Sequence, residues 1–325
     1  MDIILPAAGF GTRLRPHTWS KPKPLVTVAG KPMMEHILDR LMPYGPSKLV
    51  FITGYLGDQL EAWARTRYPG VDLVFVHQPE MLGQTDAVLR TRDYCHDDAI
   101  VLYPDALFDA DFSGLADLDA DAVAFTKVID DPSAYGVAVV EGDRVTKLVE
   151  KPKEPVSNLG LIGIYYFKQI GQLFDAMDEQ IERKIQLKGE YYMTDAIAIM
   201  IEQGNKLVTR DVVAWEDCGN VDALLQTNAW LLSTDPPSPA QRPGSVIVHP
   251  SFVHREAVLE NAVVGPHASI GAGTVVRNAV VRDAIVEENS MIADVVIEHS
   301  VVGARAEVSG TARQINIGDT AKVTV

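Results

Sequence analysis

Leu5-Pro6-Ala7-Ala8-Gly9-Phe10-Gly11-Thr12-Arg13-Leu14-Arg15-Pro16 decides how this chain folds. It overlaps the end of Asp2–Ala7, an apolar run of strand length. It precedes Lys31–Leu41, where Met34, Ile37, Leu38 and Leu41 recur at helical spacing. A strand, a glycine-rich loop and a helix in that order open a parallel α/β sheet, whose ligands bind at the carboxyl ends of the strands. Gly9 and Gly11 permit tight turns and close approach of backbone to a ligand. Backbone N–H groups of such a loop can surround phosphate oxygens. Two familiar phosphate motifs do not apply. A dinucleotide fingerprint needs a third glycine where Leu14 stands, and the Gly-Lys-Ser/Thr of a Walker loop is absent. Arg13 puts a cation in the loop. Lys23 lies in Pro22-Lys23-Pro24, a stiff stretch that suits a charge needing a set position.

The charge distribution agrees. The 325 residues carry 29 Lys+Arg against 44 Asp+Glu, formally −15. Yet residues 3–34 contain no Asp or Glu and hold Arg13, Arg15, Lys21, Lys23 and Lys31. The net charge argues against a nucleic-acid coat, which needs a basic face. The local basic segment suits a small phosphorylated ligand. With 47% hydrophobic and 22% charged residues, the composition is that of a globular protein. Cys95 and Cys218 are too few for a disulfide framework. Met1–Pro6 lacks the basic region of a signal peptide, and no apolar run reaches the ~18 residues of a membrane span. A cytoplasmic location without membrane or nucleic-acid partners is therefore expected.

Lys48–Thr53, Val71–His77 and Ala99–Tyr103 read as further buried strands, separated by helical patterns at Leu56–Tyr68 and Gln84–Cys95. The rhythm then changes. Asp121–Val128, Tyr135–Glu141, Arg144–Glu150 and Gly160–Phe167 are closely spaced strands, with a hairpin turn at Glu141-Gly142-Asp143. Helical patterns return at Lys168–Gln180, Tyr191–Gln203 and Asn220–Leu232. The predicted fold over 1–232 is α/β, Rossmann-like, with a mixed and mainly parallel sheet. Residues 233–244 hold Pro236, Pro237, Pro239 and Pro243 and read as a linker. From 245 to 325, aliphatic residues step by five or six. They run Ile247, Val253, Leu259, Val264, Ile270, Val276, then Val281, Val286, Ile292, Ile297, Val302 and Val308. This repeat resembles the hexapeptide left-handed parallel β-helix, with about eighteen residues per coil and about four coils.

Ala7-Ala8-Gly9-x-Gly11-Thr12-Arg13-Leu14-x-Pro16-x-Thr18, followed by Lys23-Pro24-Leu25, resembles the signature of the sugar-1-phosphate nucleotidylyltransferases, the thymidylyl- and uridylyltransferases of glucose 1-phosphate among them. The resemblance runs through ordered segments from residue 2 to about 232. It implies Mg²⁺-dependent transfer of a nucleotidyl group from dTTP or UTP to a sugar 1-phosphate, glucose 1-phosphate foremost, with release of pyrophosphate. It assigns nucleotide binding to Leu5, Ala7, Ala8, Gly9, Gly11, Thr12 and Arg13, and catalysis to Arg13 and Lys23. Gln78-Pro79-Glu80-Met81-Leu82-Gly83 resembles the nucleobase segment. The Gln78 amide can donate and accept, which suits the imide edge of thymine or uracil. Gln84-Thr85 departs from the usual Thr-Ala or Leu-Ala. Tyr103-Pro104-Asp105 and Trp215-Glu216-Asp217-Cys218-Gly219-Asn220 match the family's metal segments, Pro104 replacing a glycine. Asp105 and Asp217 would hold Mg²⁺, which takes few protein carboxylates. Tyr135-Gly136-Val137, Glu150-Lys151-Pro152 and Ser157-Asn158 resemble the sugar-phosphate site. There Gly136 offers backbone, Glu150 accepts from hydroxyls, Lys151 binds the phosphate and Asn158 adds a polar contact. Thr194 and Asp195, in another matching segment, are read as structural residues of a helix.

Two other readings compete. A non-catalytic regulatory subunit is disfavoured because Arg13, Lys23, Asp105 and Asp217 are all present. An acyltransferase in the β-helix could use His249, His254, His267 or His299, but about four coils are short for a cleft between subunits. The repeat is read instead as the assembly element of a homo-oligomer.

Overall fold

The computed structural model describes residues 1–154, 156–237, 241–310 and 315–324. Contacts divide the chain into two compact units, Met1–Gly9 with Ile37–Trp215 and Phe10–His36 with Glu216–Val325.

The first unit is built on a sheet of nine strands among the described residues. They are β1 (Asp2–Pro6), β2 (Lys48–Thr53), β3 (Leu73–His77), β4 (Ala99–Leu102), β5 (Ala122–Val128), β6 (Gly136–Glu141), β7 (Arg144–Glu150), β8 (Leu159–Phe167) and β9 (Leu207–Asp211). The sheet order is β7-β6-β8-β4-β1-β2-β3, with β5 on β8 and β9 on β5. Strands β4, β1, β2 and β3 run parallel. Strand β8 lies antiparallel to β4, β5 and β6. The β6–β7 hairpin turns at Gly142, whose φ is +65°. Ile4, Val50 and Val101 are wholly buried, as expected of parallel strands covered on both faces. β9, which the apolar pattern did not reveal, runs parallel to β5.

The helices are α1 (Met33–Leu41), α2 (Gly57–Arg67), α3 (Gln84–Leu89), α4 (Ile170–Glu182), α5 (Met193–Glu202) and α6 (Val221–Thr234). Helix α4 buries Leu173, Phe174 and Met177, and α5 buries Ala196, Ile197 and Met200, in the core beneath the sheet. Helix α3 is shorter than the predicted Gln84–Cys95. The Thr91 hydroxyl donates back to the Val88 carbonyl at 2.7 Å, and turns carry the chain onward. Strand β1 is flanked by β2 on one side and by β4 on the other. The chain therefore reverses its direction of sheet growth at β1, which opens a crevice beyond that strand's carboxyl end.

In the second unit, Phe10–His36 begins with single 3₁₀ turns at Thr12–Leu14, His17–Trp19 and Lys23–Leu25. Helix α6 starts at Asn220, whose Oδ1 accepts from the Ala223 amide at 2.9 Å. The C-terminal repeat forms a parallel β-helix. One column stacks Val246, Val263, Val280 and Val296; a second stacks Phe252, Ser269, Ile285, Val301 and Asn316; a third stacks Val258, Val275, Met291, Glu307 and Lys322. Val264, Ile270, Val276, Val281, Ile292 and Ile297 point inward, each fully buried. The coils are shorter than the predicted eighteen. The register advances 17 residues from Val246 to Val263 and 16 from Val280 to Val296. The five-residue steps in the sequence remove a residue at a corner. Corners fall on Asn261, Asn278 and Asp294, with φ of 50°, 48° and 54°. Asn and Asp tolerate this left-handed conformation, and their side chains link in a ladder at 2.9 and 3.0 Å. Among the described residues, no helix is long and apolar enough to cross a membrane.

Candidate active site

In the first unit a cavity of about 230 Å³ opens at the crevice beyond β1, lined by Ala8, Gly9, Gln78, Gly83, Gln84 and Tyr103 among others. Leu5 is buried within β1, Ala7 and Ala8 are buried after it, and Gly9 is exposed. The loop is held by the Ala7 amide donating to Ile52 at 2.8 Å and by the Tyr55 amide donating to Ala8 at 3.2 Å. Gln78 follows β3 and is 4% exposed. Its Nε2 donates to the Gly83 carbonyl at 3.2 Å and to Asp86 Oδ2 at 2.9 Å. Both partners only accept, so the amide orientation is forced. The sequence reading lets the amide donate and accept toward a ligand; the folded chain spends both protons internally and leaves the oxygen. Asp86 is in turn paired with Arg90 at 2.9 Å.

Gly83 has φ +111°, and a Cβ there would lie 2.5 Å from the Tyr191 nitrogen. This close approach joins the base segment to Tyr191–Met193. Gln84 and Thr85 strengthen it. Gln84 Oε1 accepts from the Met193 amide at 3.1 Å, and the buried Thr85 hydroxyl donates to Gln180 at 2.7 Å. Their departure from the usual pair thus has a structural reason. Asp105 is exposed immediately beyond β4. Beside it, burial drives the Tyr103 hydroxyl well above its ordinary pKa, with Tyr165, Asp105 and Glu150 adding to the effect.

Gly136, Glu150 and Lys151 come together. A Cβ at Gly136 would lie 3.0 Å from Glu150 Oε2, so the backbone is open to that carboxylate. Lys151 Nζ sits 3.2 Å from Glu150 Oε1 and 4.5 Å from the Tyr192 ring centre. Burial alone would lower the Lys151 pKa, but bonds from Glu150 and Tyr192 hold it above its usual value. Asn158 is exposed, and its carbonyl accepts from Ile129 at 3.0 Å. The sequence reading gave Tyr192 no site role and Thr194 and Asp195 only structural ones. The Thr194 hydroxyl donates to Glu150 Oε2 at 2.8 Å. Burial, then the nearby Glu150 charge, raises the Asp195 pKa. The signal was the Tyr191–Asp195 segment, which had no visible link to Glu150 until α5 packed against β7.

In the second unit Gly11 adopts φ +60°, and a Cβ there would lie 3.0 Å from both the Lys23 Cβ and the Thr18 methyl. The Thr18 hydroxyl donates to the Gly11 carbonyl at 2.8 Å. The glycine thus lets Lys23 seat beside the loop. Thr12 and Arg13 are exposed on the turn that follows. Gly219 marks a second close approach. A Cβ there would lie 2.9 Å from Arg13 Nη2 and 2.9 Å from Asp217 Oδ2, so Arg13 and Asp217 face one cradle. The nucleotidyl transferase family matches residues 1–234. The chain belongs to this family.

A nucleotidyltransferase from Haloferax volcanii, the UTP–glucose-1-phosphate uridylyltransferase AglF, is 33% identical over 66% of this chain and 89% of its own length. The glucose-1-phosphate thymidylyltransferase of Streptomyces antibioticus is 31% identical over 96% of this chain and 90% of its own, so its match extends through the repeat. The solved structure of a UDP-glucose pyrophosphorylase bound to UDP-glucose covers 72% of this chain and 98% of its own, at a TM-score of 0.64 and 21% identity. That likeness is one of fold.

Proposed function

We propose that this nucleotidyltransferase transfers a nucleotidyl group from UTP or dTTP to a sugar 1-phosphate, glucose 1-phosphate foremost, giving an NDP-sugar and pyrophosphate. The Gln78 amide carries the choice of base: its free oxygen accepts the imide N–H of uracil or thymine. The substrates named for the two curated relatives support the same choice. Ala7, Ala8, Gly9, Gly11 and Thr12 supply backbone to the triphosphate. An oxygen of the sugar phosphate attacks the α-phosphorus in line, while the bond to the bridging oxygen breaks and pyrophosphate leaves with its electron pair. Arg13 and Lys23 neutralise the triphosphate and the charge that develops on it. Lys151 holds the attacking phosphate, and Gly136, Glu150 and Asn158 meet the sugar.

Asp105 and Asp217 are the residues that would hold Mg²⁺. Two carboxylates leave places for the phosphate and water oxygens that this ion prefers, and the cradle at Gly219 beside Asp217 leaves room for them. The bound ion supplies charge neutralisation on the phosphates. A grid of nucleoside triphosphates against sugar 1-phosphates with Mg²⁺, scored by pyrophosphate release, tests the proposal. Turnover with UTP or dTTP and a hexose 1-phosphate is expected. No release from any pairing would refute it and favour a regulatory subunit.

The proposed division is a catalytic domain over 1–232, a linker over 233–244 and the β-helix over 245–325. Residues 238–240, 311–314 and 325 lie outside the described residues. Exposed Val246, Val258, Met291 and Val296 on the β-helix support a homo-oligomeric assembly role. A chain ending near residue 240 that keeps the full-length assembly state would sink that role. Cys95 and Cys218 are both buried and not joined in a disulfide, in keeping with a reducing cytoplasm.

A further inference from the structure

We infer that the β-helix supplies a positioning residue for the triphosphate loop: Glu287, acting through Lys21 and the Thr27 amide. The inference rests on the proposed role of Gly11–Lys23 in holding the triphosphate.

Glu287 breaks the repeat. It follows Val286, which pairs in register with Ile270 on one side and Val302 on the other, and Val302 pairs with Ile317. The residues that follow those three partners are Gly271, Gly303 and Gly318. Three coils thus place glycine where this coil places a glutamate, and the first coil, where Val253 pairs with Ile270, places His254 there. Gly318 lets the opening segment lie close, since a Cβ there would come 2.8 Å from the Pro16 Cβ, whereas Gly271 and Gly303 face the backbone of the next coil. From the same column Glu287 reaches into the segment with both carboxylate oxygens.

Its Oε2 lies 2.6 Å from Lys21 Nζ, and its Oε1 accepts from the Thr27 amide at 3.4 Å. Lys21 and Thr27 bracket Lys23 in sequence, so one carboxylate pins the chain on both sides of it. The Glu287 side chain is 1% exposed and that of Lys21 13%. Burial would lower the Lys21 pKa, but Glu287 outweighs it and holds the ammonium charged. A buried pair of this kind is a poor source of stability compared with apolar packing, but breaking one side of it is costly. Its use is to set one geometry. The anchor has support along the segment. Asn228 Oδ1 accepts from the Ala29 amide at 3.0 Å and from Ser269 Oγ at 2.7 Å, and His17 bonds to Asn316.

Glu287→Gln keeps the shape and removes the charge. Without substrate, hydrogen exchange in peptides covering 16–28 should quicken about tenfold, while those covering 258–281 stay within about twofold. With substrates, the KM for the triphosphate should rise about tenfold and the KM for the sugar 1-phosphate should stay within about twofold. Lys21→Met approaches the same pair from the other side and should show the same pattern, which guards against one variant failing to fold. Unchanged exchange at 16–28 in both variants would overturn the inference. So would loosening of the whole β-helix with both KM values rising together. If the wild-type chain turns over no pair of substrates, the triphosphate reading fails on its own, and the exchange result alone decides whether Glu287 anchors the segment.

Discussion

Asp86→Ala should relax the choice of base without touching the base. In the folded chain Gln78 presents an oxygen to the cavity because Asp86 and the Gly83 carbonyl take both of its amide protons. Uracil offers an N–H at that edge, whereas cytosine offers a ring nitrogen lone pair and would face the Gln78 oxygen in repulsion. Removing Asp86 frees one proton and lets the amide turn. A hydrogen bond to a charged partner contributes about 1.5–3 kcal/mol, roughly 10- to 150-fold in a ratio of rates. Gln78 is 4% exposed, but Asp86 shares its charge with Arg90 at a site whose side chains are 18% and 34% exposed. The lower end applies, about tenfold. The assay is kcat/KM for UTP and for CTP with glucose 1-phosphate, by pyrophosphate release. The UTP preference should fall about tenfold, with CTP gaining relative to UTP. A parallel fall for both triphosphates would refute the reasoning, since it would mean that Asp86 supports the pocket without orienting the amide.

Lys23→Ala and Asp105→Asn should each lower turnover by about 10²–10³ with the melting temperature nearly unchanged, and near-normal turnover in either would remove that residue from the chemistry. Ile270→Ala opens a hole at a fully buried position of the β-helix core and should cost about 2–5 kcal/mol in denaturant unfolding; a loss below about 1 kcal/mol would show that the coil collapses around it. His299 is bonded by Asp283 at 2.9 Å and Asp222 at 3.1 Å, bonds that raise its pKa above the ordinary 6.5. A raised histidine stabilises the fold fully below its unfolded pKa and loses that effect as pH rises through the folded value. His299→Gln should therefore lower the melting temperature more at pH 6 than at pH 9; an equal loss at both would refute the link.

Eight strands of the main sheet and the inward residues of the β-helix were legible as local periods of apolar residues, and the hairpin at Gly142 as a turn signal between two of them. The sheet's ninth strand was less so: Leu207–Asp211 is short and ends in Thr209-Arg210-Asp211, polar residues that hide the period. The coil length was overread because the early six-residue steps were extended past corners that close with five. Among candidate site residues, Arg13 and Lys23 were visible by type and position, and Gln78 through the resemblance of its segment. Thr194 and Tyr192 were not, since what ties them to Glu150 and Lys151 is a contact across more than forty residues of chain.

Residue order along the chain was enough to identify the family, the parallel opening of the sheet and the repeat, since those follow from local periods and from a motif of adjacent residues. Folding settled which atom Gln78 can offer a ligand and that Arg13 shares a cradle with Asp217. It also settled that Glu287, where three other coils carry glycine, bonds to Lys21 and Thr27 on either side of Lys23. Hydrogen-bond partners and close approaches exist only between chain segments brought together, so no spacing along the sequence could have stated them.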